Sequence, residues 1–449
     1  MDGKSGIEMY HGAKSEITKR FNSSRAAVPP FDGESKSAIV IEMSPLVRSK
    51  AFSTDTSNLA DFSEFALLIY FEVMRLSSDY DRIDLVFDRY FERSLKECTR
   101  TGRGEGSNYL FEGDSTEIPF NMADCFLKNN DNKNNLYEYL ATKLLELHQG
   151  HQIMITTYRN TTLCSQLNFL ELDQHTCVRP CESEEADQRL VRHTLNLVQN
   201  GYKNILVRTI DTDVLVLLIS HVRQLVDYDD VQLYAYLINS DKHYDIRIVI
   251  EQLGSDICQA LPYFYAFTGC DTVSSFYGKG KCKAYDVWIQ SKRKQQFTDV
   301  FCQLGEKPVT VTVEQIAILE KYVLELYGAT HTTLGASRLD RFNKSKDNNL
   351  RSLPPSKGAL IQQIYRASYQ AGYLWWQSVE ELGLPEVEEW GWQLDTNKLH
   401  LKPTWTVQQS SIADFVSTCS CKTGKCKTCN CARRELPCLS MCGCSRGCI

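Results

Sequence analysis

Asn204-Ile205-Leu206-Val207-Arg208-Thr209-Ile210-Asp211-Thr212-Asp213 is a short β-favouring run that ends in two acids one residue apart. Residues 204–208 read as a buried strand, set off from the preceding helix by Gly201. Side chains two apart on an extended chain share a face, so Asp211 and Asp213 can aim at one point. Working outward, 185–199 has the pattern of a helix that closes near Gly201, and 214–219 is an apolar run compatible with either helix or strand. Residues 231–237 and 246–250 read as further strands. Towards the N-terminus, 38–41, 83–87 and 152–157 read as strands, and 62–76 is apolar at helical spacing. Strands alternating with helices predict an α/β domain around a mostly parallel sheet, here given the bounds 37–340. Residues 1–36 are polar and turn-rich and are expected to be disordered. Residues 341–358, with Asn348-Asn349 and Pro354-Pro355, read as a linker; 359–418 follows as a helical, Trp-rich segment containing Trp390-Gly391-Trp392.

Open α/β sheets bind ligands at the carboxyl ends of their strands. Those ends are acidic here: 38–41 runs into Glu42, 83–87 into Asp88, and 204–208 into Asp211 and Asp213. The helix near 185 opens with Glu184, Glu185 and Asp187, and the last two converge only if one of them sits at the helix entry. Each acid alone has an ordinary explanation, as a partner for the helix dipole or a turn former after a strand. Several in one cleft repel unless a divalent cation neutralises them, which is the arrangement of metal-assisted phosphodiester hydrolysis.

The order of these acids resembles that of the PIN-like nucleases, in particular the flap-endonuclease branch. Val86-Phe87-Asp88 is similar to its strand-ending acid, and Glu184-Glu185-Ala186-Asp187 to its acid-alanine-acid helix start. Thr209-Ile210-Asp211-Thr212-Asp213 is similar to its paired acids, and Thr268-Gly269-Cys270-Asp271 to its glycine-small-Asp acid. Gly278-Lys279-Gly280-Lys281-Cys282-Lys283 resembles the glycine hairpin whose backbone N–H groups grip a DNA phosphate. The likeness runs over about 38–292. It implies a three-layer PIN-like fold and Mg²⁺ or Mn²⁺ held by Glu42, Asp88, Glu185, Asp187, Asp211, Asp213 and Asp271. It further implies Lys96, Arg100 and Arg103 over the scissile phosphate, and DNA contact through Gly278, Lys279, Gly280, Lys281 and Lys283. The departure is Glu42-Met43, where the family has Asp and often a small residue. Glu carries its oxygens one carbon further out, and Met43 adds bulk to the cleft. Residues 261–284 and Trp390-Gly391-Trp392 also resemble animal proteins of transposon-derived type.

Nine of the eighteen cysteines lie in 419–449: Cys419, Cys421, Cys426, Cys429, Cys431, Cys438, Cys442, Cys444 and Cys448. With few large apolar residues, such a tail needs something other than burial to order it, and thiolates around zinc do this. An odd number leaves a closed set of disulfides incomplete. The pattern resembles the CXC domain of the tesmin/TSO1 family, a small zinc-ordered module that docks on DNA; three zinc ions sharing the nine thiolates would use every one. Two rather than three residues between Cys426 and Cys429 and the lack of an aromatic before the second Cys-x-Cys are departures from that family.

Charge agrees with this division. The whole chain is net -6, yet its tail carries Lys422, Lys425, Lys427, Arg433, Arg434 and Arg446 against Glu435 alone, so phosphate contact is expected there. The remaining, scattered cysteines read as reduced core thiols, pointing to a cytosolic or nuclear setting, and DNA as partner favours the nucleus. No apolar run is long enough to span a membrane. Two functions follow from these resemblances, beside the plainer reading of an α/β scaffold carrying a zinc knot. One is a structure-specific nuclease acting on DNA, with RNA as the alternative substrate, targeted by its zinc tail. The other is a silent PIN-like body on a DNA- or chromatin-binding module.

Overall fold

The computed structural model describes residues 14–24, 34–52, 59–90, 107–119, 121–159, 161–165, 186–222, 230–344, 352–380, 382–395 and 400–404. Its centre is a seven-stranded sheet: β1 (Ser37–Glu42), β2 (Arg82–Val86), β3 (Ile153–Tyr158), β4 (Thr161–Cys164), β5 (Asn204–Thr209), β6 (Gln232–Leu237) and β7 (Lys242–Asp245). The order across the sheet is β4-β3-β2-β1-β5-β6-β7. The five inner strands are parallel, and only the edge strands β4 and β7 run antiparallel. This is the mostly parallel sheet the sequence predicts. Chain order reverses around β1, with β2 on one side and β5 on the other, which makes the carboxyl ends of β1 and β5 the natural ligand crevice.

β1 and β5, at the centre of the sheet, are mostly apolar because both of their faces are covered. Along β1, Ile39 and Ile41 enter one core while Ala38 and Val40 enter the other; β5 splits in the same way, Leu206 against Ile205 and Val207. The first layer holds α1 (Met43–Ala51), α2 (Phe62–Ser77) and α3 (Asn130–Leu147). The opposite layer holds α4 (Ala186–Gln199), α5 (Thr212–Leu217), α6 (Ile246–Leu253), α7 (Ser255–Phe267), α8 (Lys281–Gln290), α9 (Lys294–Gly305), α10 (Val313–Leu326), α11 (Leu334–Lys344) and α12 (Lys357–Tyr369). A buried polar cluster fixes α4 against the sheet. Asp84 of β2 accepts two bonds from Arg82 (2.7 and 2.8 Å), and His193 of α4 bridges Asp84 (2.6 Å) and Thr157 (2.8 Å).

Three sequence expectations change and one left open is decided. Residues 246–250 are helical, not a strand: the Asp245 side chain accepts the Ile248 N–H and caps α6, leaving Ile246 and Val249 buried at a three-residue spacing. The open run 214–219 is α5 continued by a π-turn at Leu218–Val222. Part of the expected disordered N-terminus, Lys14–Arg20, is a 3-10 helix, because Ile17 and Phe21 bury in the core beside α8. The expected linker is helical over its first residues, since α11 reaches Lys344. Beyond it, Leu360, Ile364, Ala367, Ala371 and Trp375 pack into the same core as α7.

Candidate active site

The carboxylates gather where the sheet topology places the crevice. β1 ends on Glu42, which is 6% exposed at the entry of α1. Its Oε2 accepts the Thr209 hydroxyl (2.6 Å) and the Ile210 N–H (3.0 Å) from the end of β5. Thr209 Oγ1 also accepts the Asp211 N–H (2.9 Å), so one hydroxyl couples the two strand ends. Burial first, then the charge of Asp88, pushes the Glu42 carboxyl up to about 8. Glu42 is therefore largely neutral at pH 7, opposed only in part by its bonds to Thr209 and Ile210.

Asp211 is the N-cap of α5, accepting the Asp213 N–H at 3.0 Å, and Asp213 is the second helical residue, 2% exposed. The pair converges through cap geometry; the alternation of an extended strand is not what aligns it. Asp187 is the second residue of α4, at the helix entry, and is 5% exposed. One oxygen from each of Asp187, Asp211 and Asp213 lies within 4.8 Å of the others, a spacing that fits a single small divalent cation. Asp88 stands just past β2, accepting the Ala186 N–H at the start of α4 (3.1 Å) and the Tyr90 hydroxyl (3.2 Å). It approaches the cleft from the side of Glu42, outside that group of three.

Asp271 follows α7 and completes the acidic rim. A cation already sits there: the Lys14 ammonium is paired with Asp271 Oδ1 and lies 3.7 Å from Asp213 Oδ2. No sequence signal marks Lys14, which belongs to a polar stretch with no catalytic pattern. Tyr265 of α7 is a second unforeseen neighbour, its phenol held well above the ordinary range by burial and by the Asp213 and Asp211 charges.

Gly269 positions Asp271. Its φ is +114°, and a Cβ there would lie 2.5 Å from Ser275 Cβ and 2.9 Å from Ser275 Cα, so only glycine fits. Gly269→Ala is expected to cost about 1–3 kcal/mol of stability, measured by urea unfolding. A loss within a few tenths would show that the turn relaxes freely.

The glycine hairpin departs from expectation at one lysine. Lys281 does not reach solvent: it is 3% exposed, and its ammonium donates to the Tyr265 carbonyl (2.5 Å) and the Thr268 hydroxyl (3.1 Å). Burial lowers its pKa to about 7. As the first residue of α8, its side chain folds back over α7 and is removed from any DNA-facing surface. Lys283 is exposed, and Lys279 lies over the Tyr327 ring at 5.0 Å, with Arg341 over the same ring at 5.5 Å. Arg341 joins this basic group from α11, inside the stretch read as linker. Gly278 has a φ of +66° and open space around it, and Gly280 caps α8.

Glu185, Lys96, Arg100 and Arg103 lie outside the described residues. So do the nine tail cysteines and Lys422, Lys425, Lys427, Arg433 and Arg434.

No family model matches the chain, and no curated protein matches it. Among solved structures, it is similar to the flap endonuclease of bacteriophage T5 in a pseudo-enzyme–product complex with DNA and metal ions: 12% identity, TM-score 0.35, covering 75% of this chain and 100% of that one. It is similar to the T5 protein co-crystallised with metal ions at 13% identity and TM-score 0.34, covering 74% and 100%. It is also similar to the catalytic core of Rad2 in complex with DNA substrate at 12% identity and TM-score 0.33, covering 77% and 91%.

Proposed function

We propose that the chain is a Mg²⁺- or Mn²⁺-dependent nuclease that hydrolyses phosphodiester bonds in structured DNA. The observation that carries this reading is the convergence of Asp187, Asp211 and Asp213 in the crevice, with the Lys14 cation drawn in beside them. Buried carboxylates this close are costly together without positive charge, and a cation seated at their edge shows the field they create. The donor set is all oxygen, which suits Mg²⁺ or Mn²⁺ over softer metals. A bound divalent ion supplies Lewis acidity and charge neutralisation at the phosphate.

The chain's own residues do the rest. Asp211 and Asp213 are oriented by the cap of α5, and Asp187 by the entry of α4, which Asp88 holds through Ala186. Lys283 lies at the glycine hairpin, Lys279 and Arg341 share the Tyr327 ring beside it, and this basic group is suited to backbone phosphates. The tail cysteines, as a three-zinc CXC-type module, would add a second DNA contact, and a nuclear site of action follows from DNA as substrate.

A second reading, a silent body serving as a DNA- or chromatin-binding factor, is favoured by one observation. Glu42 is buried and its Oε2 is tied to Thr209 and Ile210, and burial pushes its carboxyl up, which holds it back from acting as an ionised metal ligand. End-labelled flapped, nicked and single-stranded DNA and RNA, incubated with Mg²⁺ or Mn²⁺, separate the two. Cleavage of a flapped or nicked duplex that EDTA abolishes is the expected result. DNA binding without cleavage under every condition would establish the second reading.

A further inference from the structure

The N-terminal segment touches both halves of the proposed site with opposite charges. Lys14 lies on Asp213 and Asp271, and it is 24% exposed, so water reaches it. Two residues on, Glu16 presents its carboxylate to Gly280: a Cβ at that glycine would collide with Glu16 Oε2. Gly280 is the N-cap of the ten-residue α8, where free N–H groups and the helix dipole favour an anion. A cation therefore stands at the carboxylates and an anion at the helix start, the two charges a metal-loaded phosphodiester would bring.

The segment is anchored separately from these two side chains. Ile17 and Phe21 are buried, and Arg20 makes two bonds to Asp286 of α8 (2.9 and 2.6 Å). Cys282 Sγ donates to the Glu16 carbonyl (2.9 Å), and Gln252 holds the Arg20 carbonyl and the Asn22 N–H. Ser24 pairs with His243 at the β7 edge. Lys14 lies ahead of these anchors and Glu16 carries its charge on a long side chain, so both head groups can withdraw while the backbone stays.

We propose that Lys14 and Glu16 form a displaceable pseudosubstrate plug, Lys14 standing in for a divalent cation and Glu16 for a backbone phosphate. The inference rests on the metal-site reading above and concerns how that site is regulated. A site occupied by its own side chain binds ligand more weakly in proportion to the closed fraction, and a doubly charged ion at sufficient concentration displaces a singly charged one.

The test uses the full-length protein and Mn²⁺ alone, with free Mn²⁺ read by electron paramagnetic resonance. Lys14→Met is expected to bind Mn²⁺ about tenfold more tightly than wild type, and Lys14→Arg to stay close to wild type. Wild-type binding left unchanged or weakened by Lys14→Met would overturn the plug and leave the metal site standing. No Mn²⁺ bound by either protein would overturn the plug and the metal-site reading together. For the second contact, a flapped DNA duplex is titrated by fluorescence anisotropy with no Mg²⁺ or Mn²⁺ added. Glu16→Gln should bind it several-fold more tightly, while Glu314→Gln, at an exposed acid of α10, should match wild type. Equal gains from both variants would reduce the Glu16 effect to net charge and overturn that half of the proposal.

Discussion

Asp211→Asn combined with Asp213→Asn is expected to lower metal-dependent cleavage by on the order of 10³-fold or more, because several kcal/mol of charge stabilisation at the phosphate leave with the two carboxylates. The fold should survive. Asn caps a helix about as well as Asp, so position 211 can still accept the N–H of residue 213. Asp213 is 2% exposed and within 4.8 Å, oxygen to oxygen, of two other acids, so neutralising it removes repulsion in the metal-free protein. The loss of its contact with Lys14 offsets part of that gain. Melting temperature without metal should therefore stay level or rise while cleavage disappears. Circular-dichroism melting and gel-based cleavage on the same preparations check both halves. Full cleavage in the double variant would remove these carboxylates from the chemistry, and a collapse of melting temperature would make them structural.

The separation of what the sequence discloses from what it conceals follows the range of the interactions. β2, β5 and β6 are legible because each is a short β-favouring run rich in Ile, Leu, Val and Tyr and bounded by polar or turn residues. Asp88 and Asp211 are legible because such strands end in a crevice. The 246–250 run misleads, since five residues alternate too briefly to separate a strand from a helix; a cap at Asp245 decides it locally. Lys281 misleads for another reason. Spacing places it in a phosphate-binding hairpin, but the direction of its side chain is set by the Tyr265 carbonyl and Thr268, partners that sequence position does not announce. Lys14 is concealed most fully. It lies 199 residues from Asp213 and 257 from Asp271 along the chain, and only the burial of Ile17 and Phe21 brings it to them.

Stability of the metal-free protein should fall as pH rises from about 5 to 9, with Glu42 as the main source. The sign follows from where the proton sits. Unfolded, the carboxyl ionises near its ordinary value of 4.5; folded, it holds its proton up to about 8. Below the lower value both states are protonated and nothing is lost. Between the two the folded state binds the extra proton, so each pH unit removes about 1.4 kcal/mol, to a total of roughly 5 kcal/mol, and above the upper value the loss is complete. Glu42→Gln should flatten this slope and unfold at higher urea than wild type at pH 9, since an amide oxygen can accept from Thr209 and Ile210 as Oε2 does. Asp88→Asn discriminates between causes. Burial is the larger one and would remain, but the second, the Asp88 charge, would be gone, so the upper end of the slope should move to lower pH with Glu42 untouched. Urea unfolding at pH 6, 7.5 and 9, with no Mg²⁺ or Mn²⁺ added, measures all three proteins. Parallel slopes for wild type and Glu42→Gln would place the proton elsewhere and return Glu42 to the acids as an ionised member at neutral pH.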